Sequence, residues 1–466
     1  NNELVVLRAS GFSIWFLIFP AIFNTLIISC LYIFVFNPIF AYMNIKFKNI
    51  SIDTRTIKKH SLFIALKGEN FNGNKFIEKA FSSGAIAVLC SDKSYIKKNN
   101  VIYVPSVRKA LSKISSEIAS DFKGKKILIT GSNGKTSTTN IISKSLPKCS
   151  STIKNFNNEI GLPISIMSSK QDSKYMVLEA GAAKKGDIEY LSKIVKPDIG
   201  IITNIGNSHL EKLINIEGVF KVKSELIKNI RKGGTLIVPN DMNYLQRWKN
   251  MAKGINVIPV PKKFIAKNEK ISKDKKVMTF DIIKRCNDDK KSKAISISSS
   301  LLGKHNVQNI LVCHTCLNVL GESNLKMLKS LKNISSSISR QRILSWRNKS
   351  TLIDDTYNAN PESVKRSIDV LSEFSGRKIF IFGDMFELGR FRKKLHIDIG
   401  SYAKNSKIDI LITFGELSKF ASSGFQKKSY NFYNEGQLKA FIADFIKKND
   451  IVLIKGSRGM KMERFI

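Results

Sequence analysis

An α/β fold built on parallel sheets is what this sequence predicts, and three observations carry the prediction. From about residue 50 onward, short apolar runs alternate with helical stretches, the rhythm of strands linked by crossover helices. The runs at 126–130, 175–178, 199–203 and 235–238 are almost continuously apolar, as strands covered on both faces must be. A turn with two glycines, Gly131-Ser132-Asn133-Gly134-Lys135-Thr136, stands between the first of those runs and a helical stretch, which is where an open sheet places ligand chemistry.

Taken in order, the chain begins with 37 consecutive uncharged positions, residues 9–45. A helix needs ~20 apolar residues to cross a bilayer, and the stretch between Pro20 and Pro38 is the spanning candidate. Lys46, Lys48, Arg55, Lys58 and Lys59 follow it and Arg8 alone precedes it, so the positive-inside bias puts everything after residue 46 in the cytoplasm. No basic start or small-residue cleavage site marks a removed signal peptide. The expectation is a tether to the cytoplasmic face of the inner membrane; a hydrophobic hairpin or an adventitious extension is the alternative.

A first α/β block follows, with strands expected at 62–65, 86–89 and 101–104 and helices at 75–82 and 108–120. Residues 121–124 read as a boundary. The second block contains the four apolar runs above, and its Lys-rich stretch 261–293 reads as an exposed hairpin or insertion. A third block has strands expected at 351–354, 378–382, 409–413 and 451–455. The expected organisation is therefore an apolar segment 1–45, a small α/β domain 46–122, a central parallel-sheet domain 123–335 and a C-terminal Rossmann-like domain 336–466.

The chain of 466 residues has 77 Lys and Arg against 37 Asp and Glu, a formal charge of +40. Such a balance raises nucleic acid, anionic lipid or polyphosphate substrates as partners. The lysines are scattered rather than gathered in a stripe, and no nucleic-acid motif accompanies them, so a solvated basic surface is the preferred reading and no nucleic-acid partner is expected. The six cysteines have no disulfide-framework spacing. Cys313-His314-Thr315-Cys316 lies inside an apolar helical run with no second pair to complete a zinc site, which leaves helix packing in a reducing compartment.

Chemistry concentrates at four places. In the turn Gly131–Thr136, glycines let backbone N–H groups approach phosphate oxygens at a helix N-terminus; Lys135 would meet the β- and γ-phosphates and Thr136 a Mg²⁺ ion. The common spacing of this loop has a glycine where Ile129 stands, so this is a shortened variant. Glu179 ends the run Tyr175-Met176-Val177-Leu178-Glu179 and is a candidate Mg²⁺ ligand. His209 ends a neighbouring run, together with Glu211. The helix at 217–225 carries several charges and, by spacing alone, reads as solvated.

These motifs, in this order, resemble the Mur ligase family, and within it the branch that adds D-alanyl-D-alanine. The resemblance runs from about residue 50 to the end. It rests on Asp53-Thr54-Arg55 with residues 62–68, on Gly131–Thr136, and on Asn155-Phe156-Asn157-Asn158-Glu159-Ile160-Gly161. It continues in Leu302-Gly303-Lys304-His305-Asn306-Val307-Gln308-Asn309, Asp354-Asp355-Thr356-Tyr357-Asn358-Ala359-Asn360-Pro361, Gly383-Asp384-Met385-Phe386-Glu387-Leu388-Gly389 and Lys455-Gly456-Ser457-Arg458.

The resemblance implies a three-domain, ATP-dependent amide ligase. ATP would lie on Gly131, Ser132, Asn133, Gly134, Lys135 and Thr136, with Asn306 and Asn309 facing adenine and Arg342 and Asp355 the rest of the nucleotide. Two Mg²⁺ ions would be held by Thr136, Glu179, His209 and a carbamylated Lys223. Asp53, Thr54, Arg55 and Asn158 would meet a UDP-N-acetylmuramoyl-tripeptide, and Tyr357, Asn358 and Asn360 an incoming D-Ala-D-Ala. A monomer working on these small molecules is expected. The sequence departs from the family at Asn72-Gly73-Asn74, where Asp-Gly-His is usual, and at Gln341, where a glycine commonly precedes the arginine. Three rivals remain: a sibling ligase, a membrane-anchored P-loop ATPase that makes no amide bond, and a basic nucleic-acid binder.

Overall fold

The computed structural model describes residue 47 and residues 49–68, 71–170, 172–272, 277–284, 294–334 and 340–466. The expected membrane segment lies outside these residues; among the described ones, no helix is long and apolar enough to cross a membrane. The chain divides into one unit through Leu111 and another from Ser112 to Ile466.

The first unit holds a parallel four-stranded sheet, β1 (Asn49–Ser51), β2 (Ser61–Ile64), β3 (Ala85–Cys90) and β4 (Val101–Tyr103), in the order β1-β2-β3-β4. Phe63, Ala65, Val88 and Cys90 pack with Ile77 and Ala80 on one face, and Leu62, Ile64, Ala87 and Leu89 are buried on the other, so both strand faces are apolar. Asn72 caps the short helix Gly73–Phe76 by accepting from the Asn74 N–H. Gly73 there has no room for a side chain, since a Cβ would fall 2.6 Å from the Leu66 carbonyl oxygen.

The second unit opens with a six-stranded parallel sheet: β5 (Lys125–Thr130), β6 (Cys149–Ser151), β7 (Tyr175–Glu179), β8 (Ile199–Ile202), β9 (Thr235–Pro239) and β10 (Asn256–Val260). Their order is β10-β9-β8-β5-β7-β6. β5, the most central in burial, has Ile127, Leu128 and Ile129 fully enclosed. The strands that the sequence did not reveal, β1, β6 and β10 among them, are sheet edges, where half the backbone is solvated and no apolar run is needed.

Three antiparallel strands follow: β11 (Phe264–Ile271), β12 (Met278–Lys284) and β13 (Ile295–Ser299). The hairpin or insertion expected at 261–293 is present as β11 against β12, but one of its faces is buried rather than exposed. Phe264, Met278, Phe280, Ile282 and Ile297 are buried in the unit's main hydrophobic cluster, while Lys267 and Lys270 of β11 are exposed and β12 alternates its buried Met278, Phe280 and Ile282 with the outward Thr279 and Asp281. A period of two hid one apolar face behind a lysine-rich composition.

The last sheet is β14 (Arg342–Ser345), β15 (Thr351–Asp354), β16 (Lys378–Gly383), β17 (Ile410–Phe414), β18 (Ser429–Phe432) and β19 (Ile451–Lys455), in the order β14-β15-β19-β16-β17-β18. All neighbours are parallel except β14, which runs antiparallel on the edge. One hydrophobic cluster passes from Ile127 and Ile129 through Val307 and Ile310 to Phe380 and Phe382, so the two parallel sheets share a core. The helix Lys304–Leu320 crosses it with Cys313 and Cys316 fully buried, which is the packing role expected of that cysteine pair.

Candidate active site

β5 ends at Thr130, and the backbone then turns through Gly131 at φ +144 and Gly134 at φ +80 into the helix Lys135–Ser145. Both glycines are required: a Cβ on Gly131 would lie 2.0 Å from Thr203 Oγ1, and one on Gly134 would lie 2.8 Å from Asn309 Oδ1. The loop is fastened from the ends of β8. Ser132 Oγ donates to the Gly206 carbonyl at 2.9 Å, the Asn133 N–H donates to Asn204 Oδ1 at 2.9 Å, and Thr203 Oγ1 donates to the Asn133 carbonyl at 2.5 Å. Lys135 Nζ donates to the Gly131 carbonyl at 2.8 Å, and burial lowers its pKa.

Glu179 closes β7 and is only 2% exposed. Thr136 Oγ1 donates to one of its carboxylate oxygens at 2.7 Å and Asn157 Nδ2 to the other at 2.7 Å. A hydroxyl and a carboxylate side by side, next to a phosphate loop, suit Mg²⁺, which takes few protein oxygens and fills its other positions with phosphate and water. Among the described residues, no three His, Cys, Asp or Glu side chains gather into a metal cage.

Lys223 overturns the reading of helix 217–225 as solvated. The helix Ile216–Ser224 buries Val219, Phe220, Val222 and Lys223, the last at 1% exposure. Burial, with Lys135 adding like-charge repulsion, brings the Lys223 amine down to about 7; Asp187, Glu225 and Glu179 pull the other way. Lys223 and Glu179 thus share one electrostatic environment with Lys135.

His209 sits in the left-handed region at φ +54, just before the helix Leu210–Leu213. Its Nδ1 is 2.5 Å from a Glu387 carboxylate oxygen, off the hydrogen-bonding line, and its proximity holds the Glu387 carboxyl below the usual carboxylate range. The Glu211 N–H donates to the Glu387 carbonyl at 3.0 Å. The motif Gly383–Gly389 therefore reaches across to the central sheet, a role its sequence did not disclose.

Other contacts also cross between the two sheets. Asn360 Nδ2 donates to Asn133 Oδ1 at 2.8 Å while its own side chain caps the helix Pro361–Ser372. Asn155 Nδ2 donates to the Tyr357 hydroxyl at 2.8 Å, and the Arg340 guanidinium lies 4.0 Å from the Tyr357 ring centroid. Arg340 also acts electrostatically on Lys135; the sequence reading passed over it in favour of Arg342, which lies in β14 opposite Asp354. Gln341, where a glycine is usual, adopts φ +53, so the glycine preference has a backbone reason.

The remaining expected residues are placed as follows. Asp355 is 6% exposed and accepts from Lys455 Nζ and Ser367 Oγ, each at 2.5 Å; it is half of a buried ion pair. Asn358 accepts from the Arg458 N–H at 3.1 Å. Asn158 accepts from the Ile160 and Gly161 N–H groups at the start of the helix Gly161–Met167, a capping role. Asn309 Nδ2 donates to Asn306 Oδ1 at 3.2 Å. Asn309 also lines a 490 Å³ cavity with Thr203, Asn204, Gln308 and Arg366, beside the phosphate loop. In the first unit, Asp53 caps residues Thr54–Thr56 and pairs with Arg55 at 2.6 Å, which lowers its carboxyl to about 2.

Comparison with known proteins agrees with this arrangement. Models described as Mur ligase family catalytic domain, Mur ligase middle domain and Mur ligase glutamate ligase domain match residues 46–119, 129–317 and 339–458. A model described as the lipopolysaccharide export system permease LptF/LptG matches residues 1–77. The UDP-N-acetylmuramoyl-tripeptide–D-alanyl-D-alanine ligase of Buchnera aphidicola subsp. Baizongia pistaciae is 35% identical, covering 90% of this chain and 92% of that protein. The ligase of the same name from Bacillus subtilis is 31% identical, covering 90% and 92%. Among solved structures, MurF from Acinetobacter baumannii superposes with a TM-score of 0.79 at 26% identity over 90% of this chain and 92% of that one. MurF from Thermotoga maritima, in complex with ADP, gives 0.77 at 25% identity over 90% and 96%. With phosphate loop, Glu179, His209 and buried Lys223 in one unit and the relatives matching nearly end to end, the chain belongs to the Mur ligase family.

Proposed function

We propose that this chain is an ATP-dependent, ADP-forming ligase that joins D-alanyl-D-alanine to UDP-N-acetylmuramoyl-tripeptide. The observation that carries this reading is the electrostatic coupling of half-buried Lys135 with buried Glu179 and Lys223 at the phosphate loop, in a chain whose 35%- and 31%-identical relatives have that name. Residues 46–122 take the uridine nucleotide, through Asp53, Thr54 and Arg55; 123–335 take ATP; 336–466 bring Tyr357, Asn358 and Asn360 to the dipeptide.

A peptide carboxylate is a poor electrophile. Its oxygen attacks the γ-phosphorus of ATP, giving an acyl phosphate and ADP; the dipeptide amine then attacks the acyl carbon, phosphate leaves and the amine proton is lost. Lys135 offsets charge on the transferring phosphoryl group. Thr136 and Glu179 would hold a Mg²⁺ ion and His209 and Lys223 a second, and Mg²⁺ would supply further neutralisation of phosphate oxygens. An amine at about 7 is partly neutral at physiological pH, so Lys223 is able to add carbon dioxide and become a carbamate. Asn306 and Asn309 face adenine, Arg342 and Asp355 the rest of the nucleotide, and Asn158 keeps the nearby substrate loop in shape. Holding three substrates in line supplies much of the rate.

The test is phosphate release from Mg-ATP and UDP-N-acetylmuramoyl-tripeptide with and without D-Ala-D-Ala, followed by product mass. Dipeptide-dependent release with the ligated product is expected; ATP turnover indifferent to both peptide substrates sinks the reading. Residues 9–45, uncharged throughout and within the span matched by the permease model, support a membrane tether as well. A protein that washes off membranes in carbonate would end that part.

A further inference from the structure

Arg366 stands on the helix Pro361–Ser372 and lines the 490 Å³ cavity beside the phosphate loop. The cavity has apolar walls, including Pro239, Val260 and Pro261, and carboxamides at Asn240, Gln308 and Asn309. Asn240 Nδ2 donates to the Pro261 carbonyl at 3.0 Å and Gln308 Nε2 to the Val260 carbonyl at 2.9 Å. Their amide nitrogens are thus tied down and their oxygens left as acceptors, the complement of an exocyclic base amine. Asn309 abuts Gly134, so the cavity lies next to the phosphate loop.

Arg366 is half-buried, and its guanidinium takes part in no hydrogen bond or ion pair among the described residues. Neither of the two carboxylates that attract it, Glu362 and Asp369, bonds to it: Glu362 accepts from Asn207 at 2.8 Å through one oxygen while its other oxygen is buried without a hydrogen-bond partner, and Asp369 accepts from Tyr402 at 2.5 Å. His305, which shares the cavity wall, is held neutral, down to about 3, by burial and by the Arg366 charge. A partly desolvated cation without a partner is costly and is most easily explained by a ligand that completes it.

We propose that Arg366 is a nucleotide-positioning residue: its guanidinium packs on the adenosine end of the bound nucleotide and clamps it from the C-terminal domain. A planar guanidinium over a purine face is a favourable cation–π geometry. The inference rests on the ATP-dependent reading above and adds to it a contact from the C-terminal sheet's side of the cavity.

The experiment is calorimetric titration of the full chain with Mg-ADP and with pyrophosphate, for the wild type, Arg366→Met and Arg366→Lys, alongside thermal melting without ligand. Arg366→Met is expected to weaken ADP about tenfold while pyrophosphate binding holds within twofold. Arg366→Lys should recover only part of the loss, because the point charge lacks the planar face. Unliganded Arg366→Met should melt at or above the wild-type temperature, since an unpartnered cation has been removed; a merely structural arginine would lower it. ADP binding unchanged within twofold in Arg366→Met overturns the proposal, as does an equal loss of pyrophosphate, which would put the contact on the phosphates. Wild-type protein that binds no ADP at all would instead overturn the ATP-dependent reading itself.

Discussion

At the scale of single residues, the site is set by two constraints that act on different atoms. Lys135 has to be a cation close to phosphate, and Gly131 has to be a residue with no Cβ. Replacing Lys135 with Ala removes the charge that offsets the transferring phosphoryl group, so dipeptide-dependent phosphate release should fall by about 10²–10³-fold with little change in melting temperature. An activity within tenfold of wild type would show that the loop backbone suffices. Gly131→Ala acts through geometry instead. At φ +144, with Thr203 Oγ1 2.0 Å from the new Cβ, the loop must shift, at a cost on the order of 1–3 kcal/mol in strain. The thermal midpoint should drop and nucleotide binding with it; a variant that melts normally and binds ADP normally would contradict the loop geometry.

At the scale of elements, several residues of the family motifs also fasten the fold. Asn158, Asp355 and Asn360 each spend a side chain on a cap or a buried ion pair. The loop after β16 is held in the same way. His396, fully buried, accepts from the Met385 N–H at 3.0 Å and makes its other ring contact with the Arg392 carbonyl at 2.7 Å, which fixes the neutral form with the proton on Nδ1. Burial depresses its pKa, so below 6.5 the unfolded chain binds a proton that the folded chain resists. Stability is therefore lost as pH falls from 6.5 toward the depressed folded value. His396→Gln should lower the melting temperature at pH 7.5, reflecting ~1–3 kcal/mol for a disturbed buried N–H, and should flatten the decline between pH 7 and 5. Parallel pH profiles for variant and wild type would remove His396 from that account.

At the scale of the whole molecule, the second unit places its two parallel sheets on one hydrophobic cluster and joins them again at the chemistry: Glu387 to His209 and Glu211, Asn360 to Asn133, Tyr357 to Asn155. Glu387→Ala should loosen this join while sparing each sheet. The expected signs are a raised KM for ATP and faster proteolysis between the sheets, with the helical content unchanged by circular dichroism. Unaltered KM and proteolysis would mean that the backbone bond from Glu211 and the shared core hold the sheets without the carboxylate.

The sequence by itself determined the central strands, the phosphate loop, Glu179 at a strand end and the order of the family motifs, because these depend on apolar runs and on glycines whose need is local. The tertiary structure decided what needed a partner from far along the chain. Helix 217–225 reads as charged and solvated one residue at a time, yet the fold turns Lys223 inward, where burial and the Lys135 charge lower its pKa. The lysine-rich strand β11 hides a buried face that only β12 and β13 reveal. Arg340 and Arg366 carry no local signature, and Glu387, though inside a family motif, gives no hint of its partner; each becomes noticeable only when the C-terminal sheet lies against the central one. Periodicity and backbone sterics are properties of a short segment, whereas burial and electrostatic pairing are properties of what the segment meets.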